Sequence, residues 1–185
     1  PRRLRVAGFD DAPFEKRRGA RVSIAGVICS GTRFEGLLWG AVRRDGWQAT
    51  RVVAELLQRS KFLPQLHLVL LDGLAFGGLA LLDLPGLAAA IARPCVAVMR
   101  RPPDLAAMLA VIDRLPRRRE RRRLIEAAGP VYQRPPFVFQ VAGLDPDQAE
   151  GALRRVTDQG HVAEALRLAH LIGAAVKTGQ SGRRA

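Results

Sequence analysis

Two aspartates close apolar runs in a chain otherwise rich in arginine. Leu4-Arg5-Val6-Ala7-Gly8-Phe9 stops at Asp10-Asp11, and Leu66-His67-Leu68-Val69-Leu70-Leu71 stops at Asp72-Gly73. Lysine and arginine number 30 against 17 aspartates and glutamates, a formal net charge of +13. A carboxylate where a buried strand ends is therefore unusual here. Two carboxylates brought close together repel, and a cation resolves the repulsion. Mg2+ fits such a pair, with Mn2+ as a substitute, because it takes oxygen ligands from one or two carboxylates and fills its remaining positions from water and phosphate. The chemistry such a centre supports is attack of water on a phosphodiester. No cluster of His or Cys offers a zinc site instead. Each aspartate also has a plainer reading, Asp10 as a turn or cap and Asp72-Gly73 as a strand-ending turn. Asp10 and Asp11 point to opposite faces of a strand; Asp10 is preferred, with Asp11 the alternative.

Further groups are candidates for the same centre. Glu164, Arg167 and His170 recur every three residues in a late run of Ala, Leu, Ile and Val, so they share one face of a helix. Glu164 would complete the metal site and His170 would move a proton or touch phosphate; the competing reading is the solvated stripe of an amphipathic helix. Asp45-Gly46 reads first as a turn or helix cap, with Asp45 a candidate third or fourth metal ligand. Asp83 and Asp104 are assigned to local structure. Arg100-Arg101 follows an apolar run, where either guanidinium would hold a scissile phosphate or balance developing charge. Arg117-Arg118-Arg119-Glu120-Arg121-Arg122-Arg123 repels itself and is best accommodated against a polyanion.

The elements that must position these groups follow from hydrophobic periodicity. Leu4–Phe9 reads as a buried strand, and Arg21–Ser30 and Phe34–Val42 as two more joined to it in a meander. Gly46–Ser60 carries a helical apolar stripe. Leu66–Leu71 and Pro94–Met99 are continuous apolar strands of the kind covered on both faces. Helices are expected from Pro102-Pro103-Asp104 to about Leu115, over Arg117–Ala128, Asp145–Thr157 and Val162–Val176, with a strand at Phe137–Val141. A meander pairs antiparallel and strand-helix-strand crossovers pair parallel. That order is the ribonuclease H-like architecture: an α/β fold whose mixed sheet, a three-strand antiparallel meander plus parallel strands, is flanked by helices. In it the first and fourth strands run side by side and parallel, which makes Asp10 and Asp72 neighbours. One domain over residues 1–176 is expected, followed by a flexible basic tail over 177–185.

Composition narrows the partner. A pI near 11.5 and an excess of Arg over Lys favour nucleic acid, since guanidinium groups grip phosphate bidentately. Aromatic residues make up 5% of the chain, too few for an extended base-stacking platform. Cys29 and Cys95 lack metal-ligand spacing and read as buried thiols. No run of about 18 uncharged apolar residues predicts a membrane span. The Arg-rich start has no signal-peptide pattern, so a cytoplasmic protein is expected. Oligomeric state is not readable. Neither GxxxxGK[ST] nor a strand-following GxGxxG occurs.

At these residues the chain resembles a mainly archaeal family of small proteins related to endonuclease V, the endonuclease dU family. The resemblance spans nearly the whole chain. It is carried by Val6-Ala7-Gly8-Phe9-Asp10-Asp11-Ala12-Pro13-Phe14, Asp45-Gly46-Trp47-Gln48-Ala49-Thr50, Leu71-Asp72-Gly73-Leu74-Ala75-Phe76-Gly77-Gly78, Arg100-Arg101-Pro102-Pro103-Asp104-Leu105 and Glu164-Ala165-Leu166-Arg167-Leu168-Ala169-His170-Leu171-Ile172. The resemblance implies a Mg2+-dependent endonuclease that nicks DNA, ahead of RNA, near a deaminated base such as uracil or hypoxanthine. By that resemblance Asp10 and Asp72 match the two strand-end catalytic acids, Arg100 stands where endonuclease V has a lysine, and Glu164 falls near its last-helix acid. The Pro-Tyr-Ile-Pro-Gly wedge of endonuclease V and the glutamate after it are missing, with Asp45 a candidate substitute for the latter. The rival expectation is a non-catalytic nucleic-acid-binding protein that keeps the fold and basic surface.

Overall fold

Buried apolar residues fill the middle of the first strand, β1 (Arg5–Asp11), and of β2 (Arg21–Ser30), and β3 (Arg33–Arg43) follows them as the outer member of the meander. A computed structural model, which describes residues 3–182, pairs them antiparallel as expected. Helix α1 (Ala49–Gln58) returns the chain to β4 (Leu68–Asp72), which pairs parallel with β1. A two-stranded ribbon, β5 (Ala75–Phe76) and β6 (Ala80–Leu81), then folds back before α2 (Leu84–Ile91) and β7 (Cys95–Met99). Helices α3 (Leu105–Ile112) and α4 (Arg118–Ala127) lead to a hairpin, β8 (Tyr132–Arg134) and β9 (Phe137–Ala142). Helices α5 (Pro146–Arg155) and α6 (Glu164–Thr178) complete the chain.

The main sheet has seven strands in the order β3-β2-β1-β4-β7-β9-β8. The centre, β1-β4-β7, is parallel, and both margins are antiparallel. This is the ribonuclease H-like architecture, with the first and fourth strands adjacent. Alternation along the central strands sorts their side chains into two cores. Ala7, Phe9, Val69 and Leu71 join Val53, Leu57, Leu84 and Leu87 beneath α1 and α2. Val6, Leu68, Leu70, Val96 and Val98 join Leu153, Ala165, Leu166 and Ala169 beneath α5 and α6. Burying each large aliphatic side chain contributes ~1.5–3 kcal/mol.

Asp83 and Asp104, assigned to local structure, and Asp145, at the expected start of a helix, each cap one. The carboxylate of Asp83 accepts from the Gly86 N–H, that of Asp104 from the Ala107 N–H, and that of Asp145 from the Asp147 N–H, at 2.9, 2.9 and 2.8 Å. Pro102 and Pro103 precede this cap rather than entering the helix. The hairpin strand β8 was not anticipated: prolines at 130, 135 and 136 bracket its three residues and mask their periodicity. Cys29 and Cys95 are buried and free, and burial pushes both thiols up to about 12. Lys177 and Thr178, expected in a tail, belong to α6, which Gly179 caps in the left-handed region; residues 183–185 lie outside the described residues. No helix among the described residues is long and apolar enough to cross a membrane.

Candidate active site and basic groove

Register places the two leading carboxylates together. Phe9 lies beside Leu71 on the parallel neighbour, so the next residues, Asp10 and Asp72, emerge side by side. Both follow the parity of Val6, Leu68 and Leu70 and therefore face α6. Asp10 is only 4% exposed. Burial first, then the charges of Asp72 and Asp11, push its carboxyl up to about 9. The donors are hard carboxylate oxygens, and the repulsion that raises Asp10 is relieved by a divalent cation. The pair therefore fits Mg2+ or Mn2+ with water and phosphate filling the other positions. Among the described residues, no group of three or more His, Cys, Asp and Glu is arranged to hold an ion by itself.

Helix α6 brings a histidine to this pair. His170 Nδ1 lies 2.9 Å from Asp10 Oδ2. The helix can come so near because β1 presents no side chain at Gly8, between Val6 and Asp10. A Cβ on Gly8 would sit 2.7 Å from the Ala165 carbonyl carbon, and one on Gly173 would sit 3.2 Å from Ala12. The helix thus runs along β1 in the same direction, approaching it closely at Gly8 and again at Ala12, just past the strand. Sequence spacing placed Glu164 and His170 on one face, but only His170 reaches the pair. Glu164 stands six residues earlier, ~9 Å back along the axis. Its carboxylate takes a two-pronged ion pair from Arg167, at 2.8 and 2.6 Å. It also lies close enough to Cys29, which pairs with Val6, to raise that thiol. Glu164 as third metal ligand is therefore corrected: helical rise carries it toward the other end of β1.

Asp11 faces the opposite side, as alternation requires. Its Oδ2 accepts from the Gly77 N–H at 2.5 Å, and burial is the main cause of its raised pKa. Asp45 is tied to the same ribbon rather than to the pair. Its own N–H donates to Gly77 O at 2.9 Å, and its Oδ1 accepts from Leu79 N–H at 2.9 Å. Asp45 also adopts a positive φ of 54°. It shapes a turn; it is not brought to Asp10 and Asp72.

A small pocket beside Asp72 is lined by Arg100, His161, Arg167 and His170. Arg100 is where the sequence placed it, one residue beyond β7. Arg101 is exposed and does not line this pocket. His161 and Arg167 were not singled out as pocket residues. Arg167 stood in the helical stripe, whereas His161 sits in the loop before α6, where periodicity gives no signal.

The arginine run divides by position on α4. Arg121 is 4% exposed and donates to the backbone carbonyls of Leu79, Asp45 (2.5 Å) and Pro116 (3.1 Å). Its assignment to nucleic-acid contact is corrected: it is an internal clamp. Arg122 pairs with Asp113, with contacts of 2.6 to 2.9 Å. Arg117, Arg118, Arg119 and Arg123 are exposed. The guanidinium of Arg117 lies 5.2 Å and that of Arg121 5.4 Å from the centre of the Trp47 ring. Trp47, Arg117 and Arg118 line a groove of about 980 Å3 together with Lys16, Arg18, Arg43 and Arg114.

Comparison with known proteins agrees with this architecture. The model of the family described as endonuclease dU matches residues 2–177. The UPF0215 protein of Methanopyrus kandleri is 34% identical over 184 residues, spanning 96% of this chain and 93% of its own length. A crystal structure of a protein of unknown function from Archaeoglobus fulgidus superposes with a TM-score of 0.89 at 31% identity, over 94% of this chain and 98% of that one. Endonuclease V of Bacillus subtilis shares the fold at 9% identity, with a TM-score of 0.63 over 95% and 81% of the two chains. Endonuclease V of Ciona intestinalis, solved with a 24mer DNA containing an inosine followed by a ribo-adenosine, does so at 15% identity, with a TM-score of 0.55 over 90% and 82%.

Proposed function

The chain belongs to the endonuclease dU family, and from that premise we propose that it is a metal-dependent endonuclease that hydrolyses DNA phosphodiesters, with strands carrying uracil or hypoxanthine as its first candidate substrates. The observation that carries this reading is the side-by-side emergence of Asp10 and Asp72 on one face of adjacent parallel strands. Asp10 and Asp72 would hold Mg2+ or Mn2+. The chemistry such a cation supplies is polarisation of the scissile phosphate and neutralisation of its charge.

The chain's own groups do the rest. Asp10 anchors His170 through Nδ1, which leaves Nε2 as the ring nitrogen able to take a proton from the attacking water. Arg100 lines the same pocket as Asp72 and offers a fixed positive charge where the phosphorus gains electron density. Water adds to phosphorus, the bond to the leaving sugar oxygen breaks, and that oxygen is protonated. The bound DNA of the Ciona intestinalis relative, together with the basic groove, supports nucleic acid as the partner.

One observation favours a second reading. Glu164 and Asp45 are engaged elsewhere, leaving two carboxylates at the centre among the described residues, as in a nucleic-acid-binding protein that has lost catalysis. The two readings separate in one experiment. Oligonucleotides containing uracil or hypoxanthine, in DNA and RNA form, are incubated with the protein and Mg2+ or Mn2+. The endonuclease reading expects cleavage that chelator abolishes and Asp72→Asn removes. Salt-sensitive binding without cleavage, indifferent to both, would establish the alternative.

A further inference from the structure

We propose that the groove between the end of β3 and the start of α4 is the track that holds the phosphate backbone of the nucleic acid and leads it to Asp10 and Asp72. This rests on the endonuclease reading for its destination, but the groove's own features are independent of it. Of the eight cations that line it, Arg44 is paired with Asp45 and Arg121 is buried, and six converge on the open surface: Lys16, Arg18, Arg43, Arg114, Arg117 and Arg118. Five of them are arginines, whose planar fork suits phosphate oxygens. Among the described residues, no ion pair engages Lys16, Arg18, Arg43, Arg114 or Arg118. The groove's two acids are committed, Asp113 to Arg122 and Asp45 to Arg44 and the Leu79 N–H. The surface thus presents unbalanced positive charge to a polyanion.

The groove is also keyed to the reaction centre by hydrogen bonds. Arg121, on its floor, donates to Asp45 O and Leu79 O. Asp45 in turn binds Gly77 O, and the Gly77 N–H holds Asp11, the neighbour of Asp10. Groove and carboxylates are therefore parts of one fixed frame, as a backbone track requires. The arginine run alone suggested contact along α4; the structure instead selects Arg117 and Arg118 and adds Lys16, Arg18, Arg43 and Arg114 from other segments.

The test uses the cleavage-blocked Asp72→Asn protein, so that binding is read without turnover. Binding of a labelled oligonucleotide, single- and double-stranded, is measured between 50 and 200 mM salt as order-of-magnitude conditions for counterion release. Arg43→Gln with Arg118→Gln removes two groove cations. Arg119→Gln with Arg123→Gln removes two exposed arginines of the same helix outside the groove. The groove pair should lower affinity about tenfold or more at the low-salt end. It should also reduce the slope of log affinity against log salt by ~1.4 to ~1.8, the value for two lost phosphate contacts. The control pair should change the slope little. Equal effects from both pairs, or no effect from the groove pair, would overturn the proposal. So would a polyglutamate of equal charge that competes as well as the oligonucleotide. Should the unsubstituted protein fail to cleave while the groove pair still shifts the slope, the track stands and the endonuclease reading alone falls.

Discussion

His170 Nδ1 and Asp10 Oδ2 lie 2.9 Å apart although 160 residues separate them in the chain. The contact ties the last helix to the first strand at the point where the carboxylates meet. On the proposed function it would give Asp10 two roles, as cation ligand and as the group that orients the histidine. His170→Gln keeps a side chain of similar reach but removes the proton acceptor. We expect a fall in kcat of ~10^2-fold or more with substrate affinity little changed, and a flattened acidic limb in the pH–rate profile. Equal loss in kcat and in binding would assign His170 to substrate contact instead.

Asp72→Asn removes one of the two proposed cation ligands and should lower cleavage by ~10^3-fold, equivalent to several kcal/mol of lost transition-state stabilisation. Single-turnover cleavage at saturating Mn2+ measures it. The same protein should bind oligonucleotide as tightly as the parent or tighter, because one negative charge is gone from the phosphate's surroundings.

Asp10 sets a pH dependence of stability. Its folded pKa, about 9, lies above the ordinary carboxylate value of 3.8. The folded state therefore keeps a proton that the unfolded chain releases, and this group makes the protein less stable as pH rises from about 4 to about 9. Urea midpoints at pH 5, 7 and 9 without metal should fall in that order from this contribution, and Asp10→Asn should reduce the decline. Added Mg2+ should stabilise the parent more at high pH, because binding must displace the proton. A decline identical in both proteins would remove Asp10 as its source.

Glu164→Gln tests the correction made by the structure. With its carboxylate held by Arg167, the substitution should leave the metal dependence of cleavage within about threefold of the parent. The lost pair is partly exposed and contributes ~0–1 kcal/mol. A large rise in the Mg2+ concentration needed for cleavage would instead place Glu164 in the metal centre.

Arg121→Met removes a buried donor to three backbone carbonyls. Each orphaned acceptor costs ~1–3 kcal/mol, so a loss of ~3 kcal/mol or more is expected, a Tm lower by ~6–12 °C for a chain of this size. Arg118→Met, exposed on the same helix, should leave Tm within about 1 °C.

The parts of the site that were legible in the sequence are those fixed by alternation and strand order. Asp10 and Asp72 follow from two buried strands, one parallel pairing and a period of two. Asp104 at a helix start and the buried cysteines follow from equally local rules. Glu164 and His170 mark the limit: a spacing of three puts residues on one helical face but says nothing of where along the partner strand each one lands. That depends on Gly8 and Gly173, whose meaning appears only once α6 lies on β1. In Arg117–Arg123 the charges look alike in sequence, and only the packing of α4 on the β5–β6 ribbon separates the clamp, Arg121, from its exposed neighbours. Asp45 looked like a turn residue and is one.

Gly8 places main chain directly against main chain where α6 crosses β1. The distance from Asp10 to His170 is consequently set by two backbones, with no intervening side chain to tune it. Substitutions at the rim, among His161, Arg167 and the groove cations, can accumulate without disturbing that distance. On the proposed function, the fold would keep the spacing of the reaction centre apart from the surface that selects the strand, so that drift at the rim would alter preference while the spacing is inherited unchanged.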